Sequence, residues 1–292
     1  MTKHTGHLAL LVAIIALVLT FFSPRHTAEE AQTTPKEETV FEHVMRTHTI
    51  RCGYATWNPV LYKDIKTGEV KGIAHDIMEE VGKKLDLRID WAEETGWGTL
   101  VEGLSTHRYD MVCTGLLLMG QRARVIGFDQ PVFYVPTYLV VRKNETRFQY
   151  NQDLDNSSYH IVVLDGESFS IIGPKFFPKA QFYSLPQNTD WSLILQDVVE
   201  GKADATGVSL SDFAAYEIAN PGKLKLININ QPLQVVPVSF GLPQGDIAMK
   251  TMVDAALGDL YNDGTIAHTL RVYAKVPNEF LLPAVPYAPL SP

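Results

Sequence analysis

Ile73-Ala74-His75-Asp76-Ile77-Met78-Glu79-Glu80-Val81-Gly82-Lys83-Lys84-Leu85, followed at once by Leu87-Arg88-Ile89-Asp90-Trp91, is the stretch on which the fold turns. Ile73, Ile77, Val81 and Leu85 recur every fourth residue and form one apolar stripe, the pattern of a helix lying on a sheet. From Leu87 the period drops to two, with Leu87, Ile89 and Trp91 alternating against Arg88 and Asp90, which predicts a strand. Upstream, Ile50-Arg51-Cys52-Gly53-Tyr54 reads as a first strand and Asp64 to Gly68 as a polar turn. Strand, turn, helix and strand in this order predict α/β structure with parallel strands.

The pattern repeats outward. Leu100 to Leu104 reads as a short helix and Met111-Val112-Cys113 as a third strand, completing a first set. After Arg142 and Lys143 a polar stretch runs to Ser158, and a second set follows through Ile161 to Leu164, Trp191 to Glu200 and Leu224 to Ile229. A last helix carries Met249, Met252, Val253, Ala256, Leu257 and Leu260 on one face and is expected to pack back onto the first set. The chain then crosses twice between two lobes, near Tyr134 to Val140 and near Gln234 to Ser239, each crossing β-rich and carrying a Pro. Two extended crossings make a two-stranded hinge that bends without shearing the lobes sideways. The expected division is 40–137 plus 238–276 for lobe 1 and 138–237 for lobe 2. The tail 277–292, with Pro277, Pro283, Pro286, Pro289 and Pro292, is expected to be extended on the surface.

The beginning of the chain differs in kind. Lys3 precedes an apolar run from Leu8 to Phe22, so residues 1–27 read as a signal peptide or an uncleaved N-terminal anchor, and residues 28–39 as a flexible tether. Either places the body outside the cytoplasm, in the periplasm or its equivalent, with a membrane tether in the second case. The formal net charge of −8 and pI near 5.6 exclude a nucleic-acid partner, which needs clustered Lys and Arg. Cys52 and Cys113 fall in apolar runs that read as neighbouring strands, and the expectation is two buried thiols, because a disulfide's narrow Cα separation is hard to meet between strands out of level. No phosphate loop, Gly-x-Ser-x-Gly, His-Glu-x-x-His or Cys-x-x-Cys occurs, and the nine His are scattered, so neither a cofactor nor a metal is expected.

At this level of detail the sequence resembles family 3 of the bacterial extracellular solute-binding proteins, whose members include periplasmic glutamine- and polar-amino-acid-binding proteins. The resemblance rests on the order and spacing of Ile50 to Tyr54, Gly68-Glu69-Val70-Lys71-Gly72-Ile73-Ala74-His75-Asp76, Trp97 to Leu104, Tyr109 to Gly115, Gln121-Arg122-Ala123-Arg124 and Phe128-Asp129-Gln130-Pro131. It continues through Gly201-Lys202-Ala203-Asp204-Ala205 and Phe240 to Gly245, and so spans Val40 to Tyr273. It implies a type II periplasmic-binding fold of two α/β lobes, each a mixed, mainly parallel sheet flanked by helices. It further implies a monomer that closes on a small carboxylate-bearing solute and feeds an ABC-type membrane permease, with no catalysis.

The resemblance also nominates ligand-binding residues. Arg122 stands where the family forks an Arg onto the ligand's carboxylate, a task for a planar, permanently charged donor. Thr114 and Gly115 end the third strand, where ligands sit in open parallel sheets, and a Gly there lets backbone approach the ligand. Trp57 and Trp97 fall where the family places aromatic walls, whose faces attract an ammonium group. Leu117 departs from the family's hydroxyl residue, and Tyr54 or Ala55 from its first-strand Asp. In the second lobe Glu167 and Ser168 replace small residues. The Asp that takes the ligand's ammonium falls on Ser209, with Asp212 as its replacement if the chain is shifted. The alternatives are a cyclohexadienyl dehydratase on the same scaffold, with Glu167, Asp212 or His75 as general acid, and a tethered ligand sensor.

Overall fold

Helix α1 (Val40–Thr47) begins at a capping box: Glu42 N donates to the Thr39 hydroxyl at 3.1 Å, and Thr39 N to the Glu42 carboxylate at 2.9 Å. Strand β1 (Thr49–Tyr54) leads to a small hairpin, β2 (Tyr62–Lys63) and β3 (Val70–Lys71), whose turn is pinned by Lys66 N and Thr67 N donating to Asp64 Oδ1. Helix α2 (Ile73–Leu85) buries the predicted stripe at Ile73, Ile77 and Val81, and stops at Asp86, whose φ of 54° is left-handed. Strand β4 (Arg88–Glu94), helix α3 (Leu100–Ser105), strand β5 (Met111–Leu117), the two-residue β6 (Gly127–Phe128) and the long β7 (Phe133–Arg142) follow. The second half contains β8 (His160–Leu164), α4 (Ser168–Phe176), β9 (Gln181–Leu185), α5 (Trp191–Val199), β10 (Ala205–Ser209), α6 (Leu210–Ala219), β11 (Leu224–Leu226) and β12 (Gln234–Leu242). Helices α7 (Ile247–Asn262) and α8 (Thr265–Tyr273) close the set.

The computed structural model describes residues 38–284. The expected signal or anchor at 1–27 and nearly all of the tether at 28–39 lie outside them, as does the tail from 285. Among the described residues no helix is long and apolar enough to cross a membrane.

One curled, mixed sheet runs through both lobes in the order β4-β1-β5-β12-β7-β10-β8-β9. At one end β4, β1 and β5 are parallel, and at the other β10, β8 and β9 are parallel. The two crossing strands, β7 and β12, join them as an antiparallel pair in the register Val238↔Phe133 to Gln234↔Thr137. The hinge is therefore a two-stranded ribbon. Helix α7 buries Met249, Val253, Ala256, Leu257 and Leu260, and with α8 packs against α2, so the end of the chain returns to the first lobe.

Two features differ from the sequence reading. Cys52 and Cys113 form a disulfide, with their Cα atoms 5.3 Å apart, inside the window of about 4.4–6.8 Å that such a bond requires. β1 pairs with β5 at Cys52↔Met111, so Cys113 lies two residues further along. That offset, taken as an argument against the bond, is what keeps both side chains on one face of adjacent strands. The segment after α8 is also more deeply held than a surface tail. Tyr134 and Leu281 exchange backbone hydrogen bonds at 2.7 and 2.9 Å, Phe280 packs edge-on against Phe133 at 5.6 Å, and Glu279 is 1% exposed. Instead of running extended from Pro277, residues 276–280 form bends and a turn before Leu281 bridges to β7.

Candidate functional site

The parallel strands of the first lobe all deliver their C-terminal ends to one edge, the position where open α/β sheets receive ligands. β1 runs into the loop of Trp57, which is pinned by paired backbone bonds to Leu61 at 2.7 Å. β4 runs into Gly96-Trp97-Gly98, and β5 ends at Leu117, before the short 3-10 turn Arg122–Arg124. Opposite, β8 ends at Gly166, whose φ of 76° lets the chain turn sharply into α4. β10 ends at Ser209, the N-cap of α6.

These ends enclose two connected spaces. The outer is a vestibule of about 550 Å³ walled by Trp57, Trp97, Trp191, Asn188, Asp212 and Glu279 among others. The inner is a chamber of about 50 Å³ reached by Arg122, Glu167, Ser168, Phe169, Leu117 and Thr137. Trp57, Trp97, Trp191 and Asp212 line both and so form the partition. Trp57 and Trp97 meet edge to face at 6.5 Å. The inner chamber is much the smaller of the two, and the four shared residues join it to the vestibule, so one occupant can reach into both.

Arg122 is half-buried, and among the described residues its side chain has one hydrogen-bond partner, a distant one, Nη1 donating to Leu117 O at 3.4 Å. Burial lowers its pKa, and the charge of Glu167 opposes that shift. Glu167 caps α4 by accepting from Phe169 N at 2.8 Å and from the Ser168 hydroxyl. The positive end of that helix is thus taken by the protein's own carboxylate. Burial raises the pKa of Glu167 despite these donors. Asp212 accepts from the Ser209 hydroxyl at 2.6 Å and is pushed up to about 7, chiefly by burial, with the charges of Glu167 and Glu279 adding to it. A guanidinium with most of its donors free faces carboxyl groups that hold protons more tightly than usual.

The lobes touch across the mouth. Gly98 N donates to Gln187 Oε1 at 2.8 Å, joining a first-lobe loop to a second-lobe loop. A Cβ on Gly98 would overlap Gln187 Oε1, and one on Gly166 would lie 3.3 Å from Gly98. Glycine at these positions permits the close approach.

The structure brings Arg122, Trp57, Trp97, Gly115, Leu117, Glu167, Ser168, Ser209 and Asp212 to the inner chamber. Tyr54 and Thr114 are not there. Tyr54 packs edge-on against Trp91 in the core, and the buried Thr114 spends its hydroxyl on Ala55 O at 2.9 Å, tying β5 to the loop after β1. Gly115 is required by packing: a Cβ would stand 2.8 Å from Val238 and 2.9 Å from Val60. His75 stacks on Trp91 at 5.2 Å beside Asp76, and lines neither space. The sequence reading missed Trp191, Phe169, Thr137, Gln187 and Glu279. Asp190-Trp191, a capping residue followed by an aromatic after a polar loop, was the available signal for Trp191.

Comparison with known proteins follows the same outline. The sequence profile of "Bacterial extracellular solute-binding proteins, family 3" matches residues 50–276. The probable amino-acid-binding protein YxeM of Bacillus subtilis is 26% identical over 219 residues, covering 74% of this chain and 79% of that one. Cyclohexadienyl dehydratase of Pseudomonas aeruginosa is 23% identical over 255 residues, covering 87% and 89% respectively. Among solved structures, an ancestral amino acid-binding protein, a precursor of cyclohexadienyl dehydratase, superposes with a TM-score of 0.70 at 22% identity, covering 81% of this chain and 100% of that one.

Proposed function

Because the chain belongs to family 3 of the bacterial extracellular solute-binding proteins, we propose that it is the extracytoplasmic binding component of an ABC-type importer. Its two lobes, divided within β7 and β12, close on an amino-acid-like solute. The observation that carries this reading is the inner chamber, where a half-buried guanidinium with one long hydrogen bond sits behind three Trp side chains. Arg122 forks onto the solute's carboxylate, and charge-assisted bonds of this kind are among the strongest that a protein makes. Asp212, held by Ser209, receives an ammonium group, and the rings of Trp57, Trp97 and Trp191 flank the body of the solute. Bending of the two-stranded ribbon lets Gly98 reach Gln187 and seals the cleft. The division of labour fits transport, in which a solute is captured, enclosed and released unchanged.

A thermal-shift screen of amino acids, polyamines, opines and small carboxylates tests the reading. A ligand at a hundred times its Kd adds about 2.7 kcal/mol to stability, so at least one amino acid should raise the melting temperature by several degrees. No shift with any of them would refute it.

A second reading has a specific observation behind it: Glu167 and Asp212 are carboxyl groups with raised pKa beside the chamber, as a general acid requires. It makes the protein a dehydratase of prephenate or arogenate, like its relative from Pseudomonas aeruginosa. Incubation with both substrates decides it, since aromatic product forms only if the protein is an enzyme.

A further inference from the structure

The vestibule is lined by more acidic than basic side chains. Glu94, Asp190, Asp212 and Glu279 line it and Glu167 lies within, against Arg122 and the exposed Lys275. Two of these carboxylates are accounted for locally. Asp190 caps α5 through Ser192 N at 2.8 Å, and Glu94 is exposed and accepts from the Thr56 hydroxyl. Glu279 is different. It is 1% exposed, its Oε2 accepts from Lys275 N at 2.6 Å and Val276 N at 3.1 Å, and its Oε1 has no partner among the described residues. Ser211, 4% exposed and lining the same space, also has an unpartnered buried oxygen. A loop staple needs one carboxylate oxygen; a second, buried and unpaired, carries a desolvation cost that a donor from an occupant would offset.

Glu279 lies beyond residue 276, where the match to the family profile ends. The bent segment that carries it is fixed to the crossing strand β7 by the Tyr134–Leu281 backbone pair and by Phe280 on Phe133. Asn278, with a φ of 61°, makes the left-handed turn just before it. The strap beyond the profile match thus delivers a carboxylate to the cleft.

We infer that the solute carries a cationic group remote from its carboxylate, and that Glu279, with Ser211, receives that group in the vestibule. The inference rests on the reading of Arg122 as the carboxylate's partner. The inner chamber of about 50 Å³ takes the carboxylate, so the remainder of the solute lies in the space of about 550 Å³ that Glu279 lines. A neutral amide would satisfy the hydrogen bond and leave the buried charge uncompensated, whereas an ammonium or guanidinium does both. The ligand class is a basic amino acid or a similar zwitterion with a second, cationic end.

Paired probes test this by calorimetry: L-arginine against L-citrulline, and L-lysine against L-norleucine, on wild type, Glu279→Gln and Ser211→Ala. Wild type should prefer the charged member of each pair by about tenfold or more, the worth of one charge-assisted contact, and Glu279→Gln should remove most of that preference. Equal binding of the neutral analogue by wild type, or a preference that survives Glu279→Gln, overturns the inference while leaving the proposed function standing. If no amino acid of any charge binds wild type, the proposed function fails and this inference with it. Should Glu279→Gln not fold, the wild-type contrast decides together with Ser211→Ala, which must weaken the preference.

Discussion

Removing the disulfide between Cys52 and Cys113 should cost the protein a large share of its stability. The bond closes a loop with a sequence separation of 61 residues. The chain-entropy relation gives about 14 cal/mol/K for a loop of that size, or ~4 kcal/mol at 25 °C. Residual structure in the unfolded chain reduces the entropic gain, so a loss of about 2–4 kcal/mol is expected. The assay is equilibrium urea unfolding followed by Trp fluorescence, comparing oxidised wild type, reduced wild type and Cys52→Ala/Cys113→Ala. With a slope of roughly 2–3 kcal/mol per molar urea, the midpoint should fall by about 1 M in both reduced and substituted protein. A shift below a tenth of that, or two alkylatable thiols in denatured protein that has never met a reductant, would refute the reasoning.

Other perturbations probe the cleft itself. Gly98→Ala should displace Gln187 and break the bond across the mouth, weakening solute affinity about 2- to 10-fold, the worth of one neutral hydrogen bond; Gln187→Ala should do the same, and the double variant should be no worse than either, as read by calorimetry. Trp97→Ala should open the partition and reduce affinity by about tenfold or more with little change in the melting temperature of the free protein. The raised pKa of Asp212 has a definite sign. The folded chain keeps a proton, up to about pH 7, that the unfolded chain releases near about pH 4. That contribution to stability is complete below about pH 4 and is lost as the pH rises through about 7. The unliganded protein should therefore melt at a higher temperature near about pH 5 than near about pH 8, and Asp212→Asn should flatten the profile; an unchanged slope in that variant would assign the effect elsewhere.

Most of the architecture was legible because it is written in local periods. The stripe Ile73, Ile77, Val81 predicted α2, and alternation from Leu87 to Trp91 predicted β4, since each pattern reports one element against its own sheet. The crossing strands were visible as β-rich runs, and Arg122 was reachable through the resemblance to the family. What escaped depends on contacts between residues far apart in the chain. The disulfide turns on which strands neighbour and in what register, and neither Cys52 nor Cys113 shows this in its own surroundings. Tyr54 ends β1, but Thr114, expected at the end of the third strand, lies mid-strand because β5 runs on to Leu117, and only the Trp91 ring and the Ala55 carbonyl show that both side chains are spent inside the fold. Proline content could not say that residues 276–280 would turn, that Leu281 would pair with Tyr134 or that Glu279 would be buried.

The central claim is that Arg122 holds the solute's carboxylate between closing lobes. Calorimetric titration of wild type and Arg122→Ala with the amino acid that most raises the melting temperature tests it most directly. Affinity should fall by about a hundredfold or more in Arg122→Ala while its unliganded melting temperature stays within a few degrees of wild type. Binding of that amino acid by Arg122→Ala at wild-type strength would contradict the account.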